Sequence, residues 1–284
     1  MGGTTCAACR EGEGCEVRGF SDGSTTDAPP GFTCVEGGAF IMGSTEGTPG
    51  SNDNERPVRS VTVSGFWMGA CPVTQAQWRE VMGNNPSYFK DDDHPVENVC
   101  WLDAVEYANK RSLREGFEPA YGICGDIRAL AKLKFRKSSN VTWNRKANGY
   151  RLPMEAEWEY AARGGRGSPG NHEYSGSDDA DEVAWYDSNS GGSTQPVRKK
   201  APNALGLYDM SGNVWEWCWD WYADKYHDAA ETDPAGAPSG YLRVLRGGSS
   251  WVISAEYVRC SFRRRSGPSD MGNDIGFRLV RPLA

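Results

Sequence analysis

No run of eighteen apolar residues occurs in the 284-residue chain, so no segment is long enough to span a membrane as a helix. A long basic stripe is missing too. With 31 Lys and Arg against 38 Asp and Glu the net charge is −7, which disfavours nucleic acid as a partner. The only three histidines, His94, His172 and His227, are scattered, and no facial two-histidine, one-carboxylate grouping for iron is visible. Cys6-Ala7-Ala8-Cys9 lacks the second pair at matching spacing that a structural zinc site requires. A hydrolase elbow of the form Gly-x-Ser-x-Gly is absent as well, Tyr174-Ser175-Gly176-Ser177 being the nearest imitation. No internal repeat is visible, and beyond residue 170 helical periodicity fades.

Glycine and aromatic residues are abundant: 35 Gly, 11 Trp and 12 Tyr in a sequence only 38% hydrophobic. That mixture points to loops packed by their own large side chains rather than to long helices. The nine cysteines are Cys6, Cys9, Cys15, Cys34, Cys71, Cys100, Cys124, Cys218 and Cys260. Cys15 and Cys34 are possible partners, and one or two disulfides in an exported protein are expected ahead of zinc, with at least one thiol left over. Met1 is followed directly by Gly2-Gly3, as expected of a chain that starts after a removed leader. The expected location is therefore extracellular or at the cell surface, and a removed leader leaves room for a lipid anchor.

Residues 1–30 are rich in Gly, Ser, Thr and Asp, end in Pro29-Pro30 and read as a flexible leader. Residues 31–284 read as one globular domain. Gly38 to Gly43 looks like a short strand and Ser60 to Trp67 like a second, with a polar surface loop from Ser44 to Arg56 between them. Thr74-Gln75-Ala76-Gln77 is a capping box opening a helix that runs to about Met82 and stops at Gly83. A second helix covers Trp101 to Ser112, with Leu102, Val105 and Ala108 inward. A third follows Pro153 and runs from Glu155 to Arg163, with Trp158, Ala161 and Ala162 on its inner side and Gly164-Gly165 ending it. The alternating Trp215, Trp217, Trp219 and Trp221 read as core and sheet packing.

Two rigid phrases, Arg246-Gly247-Gly248-Ser249 and Ile275-Gly276-Phe277-Arg278-Leu279, bracket a stretch without any period. Ordered frames around irregular loops of mixed chemistry are how binding surfaces are commonly built. The expected ligand-binding region is therefore about 245–280. Arg263-Arg264-Arg265 within it could alternatively mark an anion site.

Several phrases are too specific to be composition alone. In chain order they are Gly37-Gly38-Ala39-Phe40-Ile41-Met42-Gly43-Ser44, Pro72-Val73-Thr74, His94-Pro95-Val96, Gly149-Tyr150-Arg151-Leu152-Pro153 with the helix after it, and Asn203 to Trp217. Together with the two tail anchors they resemble the formylglycine-generating enzyme (sulfatase-modifying factor) family from about Phe32 to the C-terminus. The resemblance implies an α+β, C-type-lectin-like fold of the formylglycine-generating enzyme type, with little regular secondary structure and both termini in one antiparallel sheet. It also implies a calcium-binding segment, which carries over to Asn213 and Glu216. The alternative is that Glu216 takes hydrogen bonds from neighbouring turns. No other cofactor is expected.

Oxidising members of the family need two cysteines after Arg-Gly-Gly-Ser, because Cu(I) prefers thiolate ligands. The corresponding positions here are Val252 and Tyr257, and Cys260 is the only cysteine nearby. The tail instead looks like the variable region of a protein diversified by a retroelement, whose randomised codons cannot yield Trp, Met, Lys, Glu or Gln. Ser250, Val252, Ile253, Ser254, Phe262, Arg264, Ser266, Gly267, Ser269, Asp270, Gly272 and Asp274 all fall in the permitted set. These residues, with Trp251, are the expected ligand contacts: Val252, Ile253, Phe262 and Trp251 apolar, Arg264 and Asp270 polar. The expected function is non-catalytic binding of an unidentified protein or cell-surface molecule. The alternative is an oxidoreductase acting on cysteine-containing substrates.

Overall fold

A computed structural model describes residues 28–125, 141–166, 172–227 and 229–283. Within these the N-terminal part forms four strands: β1 (Phe32–Val35), β2 (Gly38–Met42), β3 (Arg59–Val63) and β4 (Phe66–Gly69). In β3, Val61 and Val63 point inward while Ser60 and Thr62 are exposed, the period-two pattern of a half-buried strand. The single strand expected over Ser60–Trp67 is in fact two strands in different sheets. The break has a local cause. The amide and hydroxyl of Ser64 donate to the Asp233 carboxylate at 2.7 and 2.6 Å. Gly65 also passes so close to Gly37 that a Cβ on Gly37 would lie 2.8 Å from the Gly65 nitrogen.

Helix α1 (Gln75–Met82) has the expected capping box on Thr74 and ends at Gly83 in the left-handed region. Helix α2 (Trp101–Arg114) extends two residues beyond expectation and buries Leu102, Val105 and Ala108 as anticipated. Strands β5 (Tyr121–Ile123) and β6 (Val141–Trp143) pair with each other. Helix α3 (Glu155–Ala162) departs from its expected amphipathic form, because all eight residues are buried. It is packed between the β2–β3 side and the sheet that follows, and its glutamates survive there only by pairing with arginines.

The remaining strands are short: β7 (Ala184–Trp185), β8 (Ser211–Gly212), β9 (Trp215–Trp221), β10 (Glu231–Thr232), β11 (Arg243–Arg246), β12 (Arg264–Ser266), β13 (Ile275–Gly276) and β14 (Val280–Pro282). The first and last strands flank β4 in one antiparallel sheet, β1-β4-β14, as the resemblance implied. A four-stranded sheet runs β12-β11-β9-β13 and carries the tail. One core joins α1 and α2 to β9 through Trp101, Trp215, Trp217 and Phe277; the other joins α3 to β3 and β4 through Trp158, Val61 and Met68. Each fully buried Trp contributes roughly 4–6 kcal/mol of burial, from 150–250 Å² per ring at about 25 cal/mol per Å². The tryptophan stripe of β9 is packing, as expected: Trp219 stacks on Tyr121 at 5.0 Å, and Trp221, Trp101 and Trp219 surround Arg243 at 3.5, 3.8 and 4.9 Å.

Of the expected leader, residues 1–27 fall outside the described residues, and with them the readings of Cys6, Cys9 and Cys15 as zinc ligands or disulfide partners. Pro29, placed in the leader, is buried, and its carbonyl accepts from the Phe32 amide at 2.9 Å, so a packed turn already lies there. Among the described residues Cys71, Cys100, Cys124, Cys218 and Cys260 are not bonded to one another.

Candidate ligand-binding site

Arginine is the residue that shapes the tail. The Arg246 guanidinium is fully buried, bonds Glu159 of α3, and collects the carbonyls of Cys260, Ser261 and Phe262. Arg259 makes a two-point pair with Glu55 at 2.9 and 2.8 Å and reaches the Gly50 carbonyl at 2.6 Å. Arg263 pairs with Glu155 at 2.5 and 2.8 Å, and Arg278 with Glu216 at 2.6 and 2.7 Å. Each pair is planar-fork recognition of a carboxylate, with geometry that holds the chain in one register. Two glycines make the first corner. Gly247 and Gly248 have φ of 92° and 79°, and a Cβ on Gly248 would lie 2.5 Å from Val258. Ser249 then donates to Asp274 at 2.9 Å and ties the two tail segments together.

Over this frame the expected contacts divide. Trp251 and Ile253 are exposed at 48% and 81%, and Met271 at 59%. Arg264 is exposed, lies 5.1 Å over the Trp215 ring and sits 3.9 Å from Asp274. Val252 and Phe262 are half-buried: Val252 packs on the core, and the Phe262 ring lies 5.9 Å from Trp215 and 5.1 Å from Tyr257. Ser254 caps the 3-10 turn Ala255–Val258. Asp270 closes a turn by accepting from Ser266 Oγ and the Gly267 amide, both at 2.7 Å. Ser269, Gly272 and Asp274 are half-buried, and the Gly272 carbonyl accepts from the Asn98 amide at 2.8 Å.

Two expectations fail here. Ser250 is fully buried and cannot touch a ligand; its carbonyl accepts from Ser190 Oγ at 2.8 Å, because the glycine corner turns the chain inward before Trp251. Arg263-Arg264-Arg265 do not form an anion site, since strand alternation sends Arg263 inward to Glu155 while Arg265 pairs with Asp224 at 2.6 Å.

Asn213 and Glu216 do not fit a calcium ion. Both Glu216 oxygens are engaged by Arg278, and one also accepts from the Trp158 indole at 2.8 Å, so a cation there would sit against a guanidinium. Asn213 is bound through its side chain to Gln195 and Asp209. The hydrogen-bonding alternative describes the site. Nor does the tail offer an accessible thiol. Cys260 is buried, donates to the Ala162 carbonyl at 3.6 Å, and burial pushes its pKa up to about 11.

Sequence reasoning missed the loop 84–98. Its Tyr88 is 70% exposed, and the Phe89 ring lies 6.4 Å from that of Trp251. Glu97 is fully buried beneath, and its Oε1 accepts from the Phe89 amide at 2.8 Å. Burial raises its carboxyl to about 7, and nearby Asp274 adds to the effect. An adjacent aromatic pair in a polar loop after Asn84-Asn85-Pro86 was the available signal. Two clefts of about 550 and 590 Å³ lie along residues 43–58, the first also bounded by Arg163, His172, Arg259 and Ser261, and none of the expected contacts lines them.

Residues 19–283 match the sulfatase-modifying factor enzyme 1-like domain. The chain is 41% identical to a protein named chaperone protein LppX from Paenibacillus barcinonensis, over 93% of this chain and 95% of that one. It is 32% identical to the formylglycine-generating enzyme of Streptomyces coelicolor, over 73% of this chain and 59% of the enzyme. Among solved structures, Treponema denticola variable protein 1 superposes with a TM-score of 0.78 at 34% identity, covering 88% of this chain and 94% of that protein. PvdO from Pseudomonas aeruginosa superposes with a TM-score of 0.67 at 27% identity, covering 89% and 94%.

Proposed function

The chain belongs to the sulfatase-modifying factor enzyme 1-like family, and from that premise we propose that it keeps the family frame without the family's oxidative chemistry. It is a non-catalytic ligand-binding protein, acting outside the cell, whose ligand face is built on the tail between β11 and β13. The observation that carries this reading is the set of large apolar side chains, Trp251, Ile253 and Met271, left in solvent on a tail otherwise pinned by buried arginine pairs. Large apolar side chains held on a fixed backbone are the kind of anchor that protein interfaces bury. Val252 and Tyr257 stand where the resemblance calls for cysteines, and Cys260 is buried, which supports the absence of thiolate chemistry. The likeness to a variable protein supports diversification of this face by a retroelement, with Trp251 and Met271 constant because randomised codons exclude them.

A second reading draws on the near full-length match to a protein named as a chaperone. The same face would then take client proteins, and it would be invariant.

The proposal is tested with the full chain displayed and randomised at Ile253, Ser254, Arg264 and Ser269, then selected against purified egg-white lysozyme. Recovery of binders tighter than about 1 μM, some −8 kcal/mol, is expected. Recovering none overturns it. So does binding of one equivalent of copper with turnover of a cysteine-containing peptide, which would establish the oxidoreductase. A gene with no neighbouring reverse transcriptase and no template rich in AAC codons would end the diversification part and leave the invariant reading.

A further inference from the structure

The two tail segments do not meet only each other; both are fastened to the loop 84–98, far from them in sequence. On one side the Phe89 ring packs against Trp251 at 6.4 Å, with Tyr88 edge-on to Phe89 at 5.0 Å. On the other, the Asn98 amide donates to the Gly272 carbonyl at 2.8 Å, next to exposed Met271, while its side-chain amide donates to the Pro86 carbonyl at 3.1 Å. Asn98 holds a left-handed backbone, φ 63°, to make both bonds. The loop is fixed from beneath as well. Glu97 Oε1 takes the Phe89 amide, and Ser87 Oγ takes the Glu97 amide at 3.2 Å. A 70%-exposed tyrosine is thus carried on a loop whose backbone is tied down on both sides of it.

We propose that the loop 84–98 is the constant part of the ligand face, with Tyr88 making direct contact with a folded protein partner. The inference rests on the ligand-binding reading above and adds to it a contact outside the tail. A rigid loop presenting a large amphipathic ring loses little side-chain entropy on binding, the property that makes tyrosine frequent at interface hot spots. The shape selects the class of partner. Tyr88, Trp251, Ile253 and Met271 stand out from the surface, and the clefts around Ser44, Arg163 and Asn203 are lined by other residues, so the face suits a broad protein surface rather than a small molecule that must be enclosed. Exposed Lys90, Asp91 and Arg264 supply a polar surround of mixed charge.

Lysozyme binders selected as above provide the test. In most of them Tyr88→Ala should weaken the dissociation constant tenfold or more, a typical hot-spot loss. Tyr241→Ala, an equally exposed tyrosine outside the face, should leave it unchanged. Hydrogen exchange on the unsubstituted binders gives an independent readout: bound lysozyme should slow exchange across residues 84–98. Affinities within twofold after Tyr88→Ala in every binder, or no protection of the loop, overturn the inference while the tail's ligand-binding role stands. Equally frequent recovery of tight binders against the small hapten fluorescein overturns the assignment to a protein partner. If no lysozyme binder is recovered at all, the ligand-binding reading fails and this inference falls with it.

Discussion

Glu97 offers a perturbation whose size can be worked out before it is measured. Its carboxyl is fully buried, one oxygen accepts from Phe89, and the other has no hydrogen-bond partner among the described residues. Burial raises it from the ordinary 4.5 to about 7, with Asp274 adding to the rise while Phe89, Tyr88 and Lys90 oppose it. The sign follows from linkage. The unfolded chain releases this proton at lower pH than the fold does, so stability is lost as pH rises from 4.5 through 7. For a carboxyl with those two values the loss is about 1 kcal/mol at pH 5, about 2 at pH 6 and about 3 by pH 8. Glu97→Gln cannot ionise, keeps an acceptor for Phe89 and puts N–H donors where the second oxygen lacks a partner. The variant should match the parent at pH 4 and exceed it by about 3 kcal/mol at pH 8, roughly 5–6 °C in Tm for a chain of this size. Thermal unfolding of both proteins at pH 4, 5, 6 and 8 reads the difference directly, and other titrating groups cancel between them. Asp274→Asn in the parent should shrink the gap. A difference independent of pH, or one that favours the parent at pH 8, refutes the reasoning.

Other expectations concern the frame and the tail. Arg278→Ala leaves Glu216 buried without its cation and should cost about 3–5 kcal/mol in urea unfolding, while millimolar calcium or its chelation should not move the parent midpoint. For Glu55, burial acts to raise the pKa, but the hydrogen bonds from Arg259 and Ser44 outweigh it and bring the carboxyl down to about 2. Its stabilisation should therefore be lost as pH falls from 4.5 to about 2, and Glu55→Gln should flatten that part of the acid-unfolding curve. Ile253→Ser should change stability by less than about 0.5 kcal/mol, whereas Ser250→Tyr, which must enter a filled interior, should cost about 1–3 kcal/mol or prevent folding, as chemical unfolding will show. Peptide mapping after alkylation of the native protein should find Cys124 modified and Cys260 unmodified, since Cys124 is exposed and Cys260 is a buried, protonated thiol.

Short-range chemistry accounts for what could be read in advance. The Thr74 capping box, the Gly83 stop and the inward row Leu102, Val105 and Ala108 depend on residues within a few positions of one another, so they are written locally. The chain order of the family phrases carried the fold class and the pairing of the end strands around β4. Local pattern failed wherever a distant partner set the outcome. Asp233 and Gly37 divide the apparent strand Ser60–Trp67. Glutamates on every side of α3 look solvent-facing until Arg151, Arg246 and Arg263 are brought to them.

By itself, then, the sequence determined that the tail is an irregular segment between rigid anchors, because glycine, arginine and the alternation of side chains act locally. Which tail residues reach solvent was decided only in three dimensions. The corner at Gly247-Gly248 buries Ser250 and turns Trp251 outward, and strand pairing sends Arg263 inward and Arg264 outward. Tertiary structure alone brought Tyr88 and Phe89 beside Trp251, more than 150 residues away along the chain. Proximity of that kind comes from packing around a shared core, and a pattern of period two or 3.6 holds no information about it.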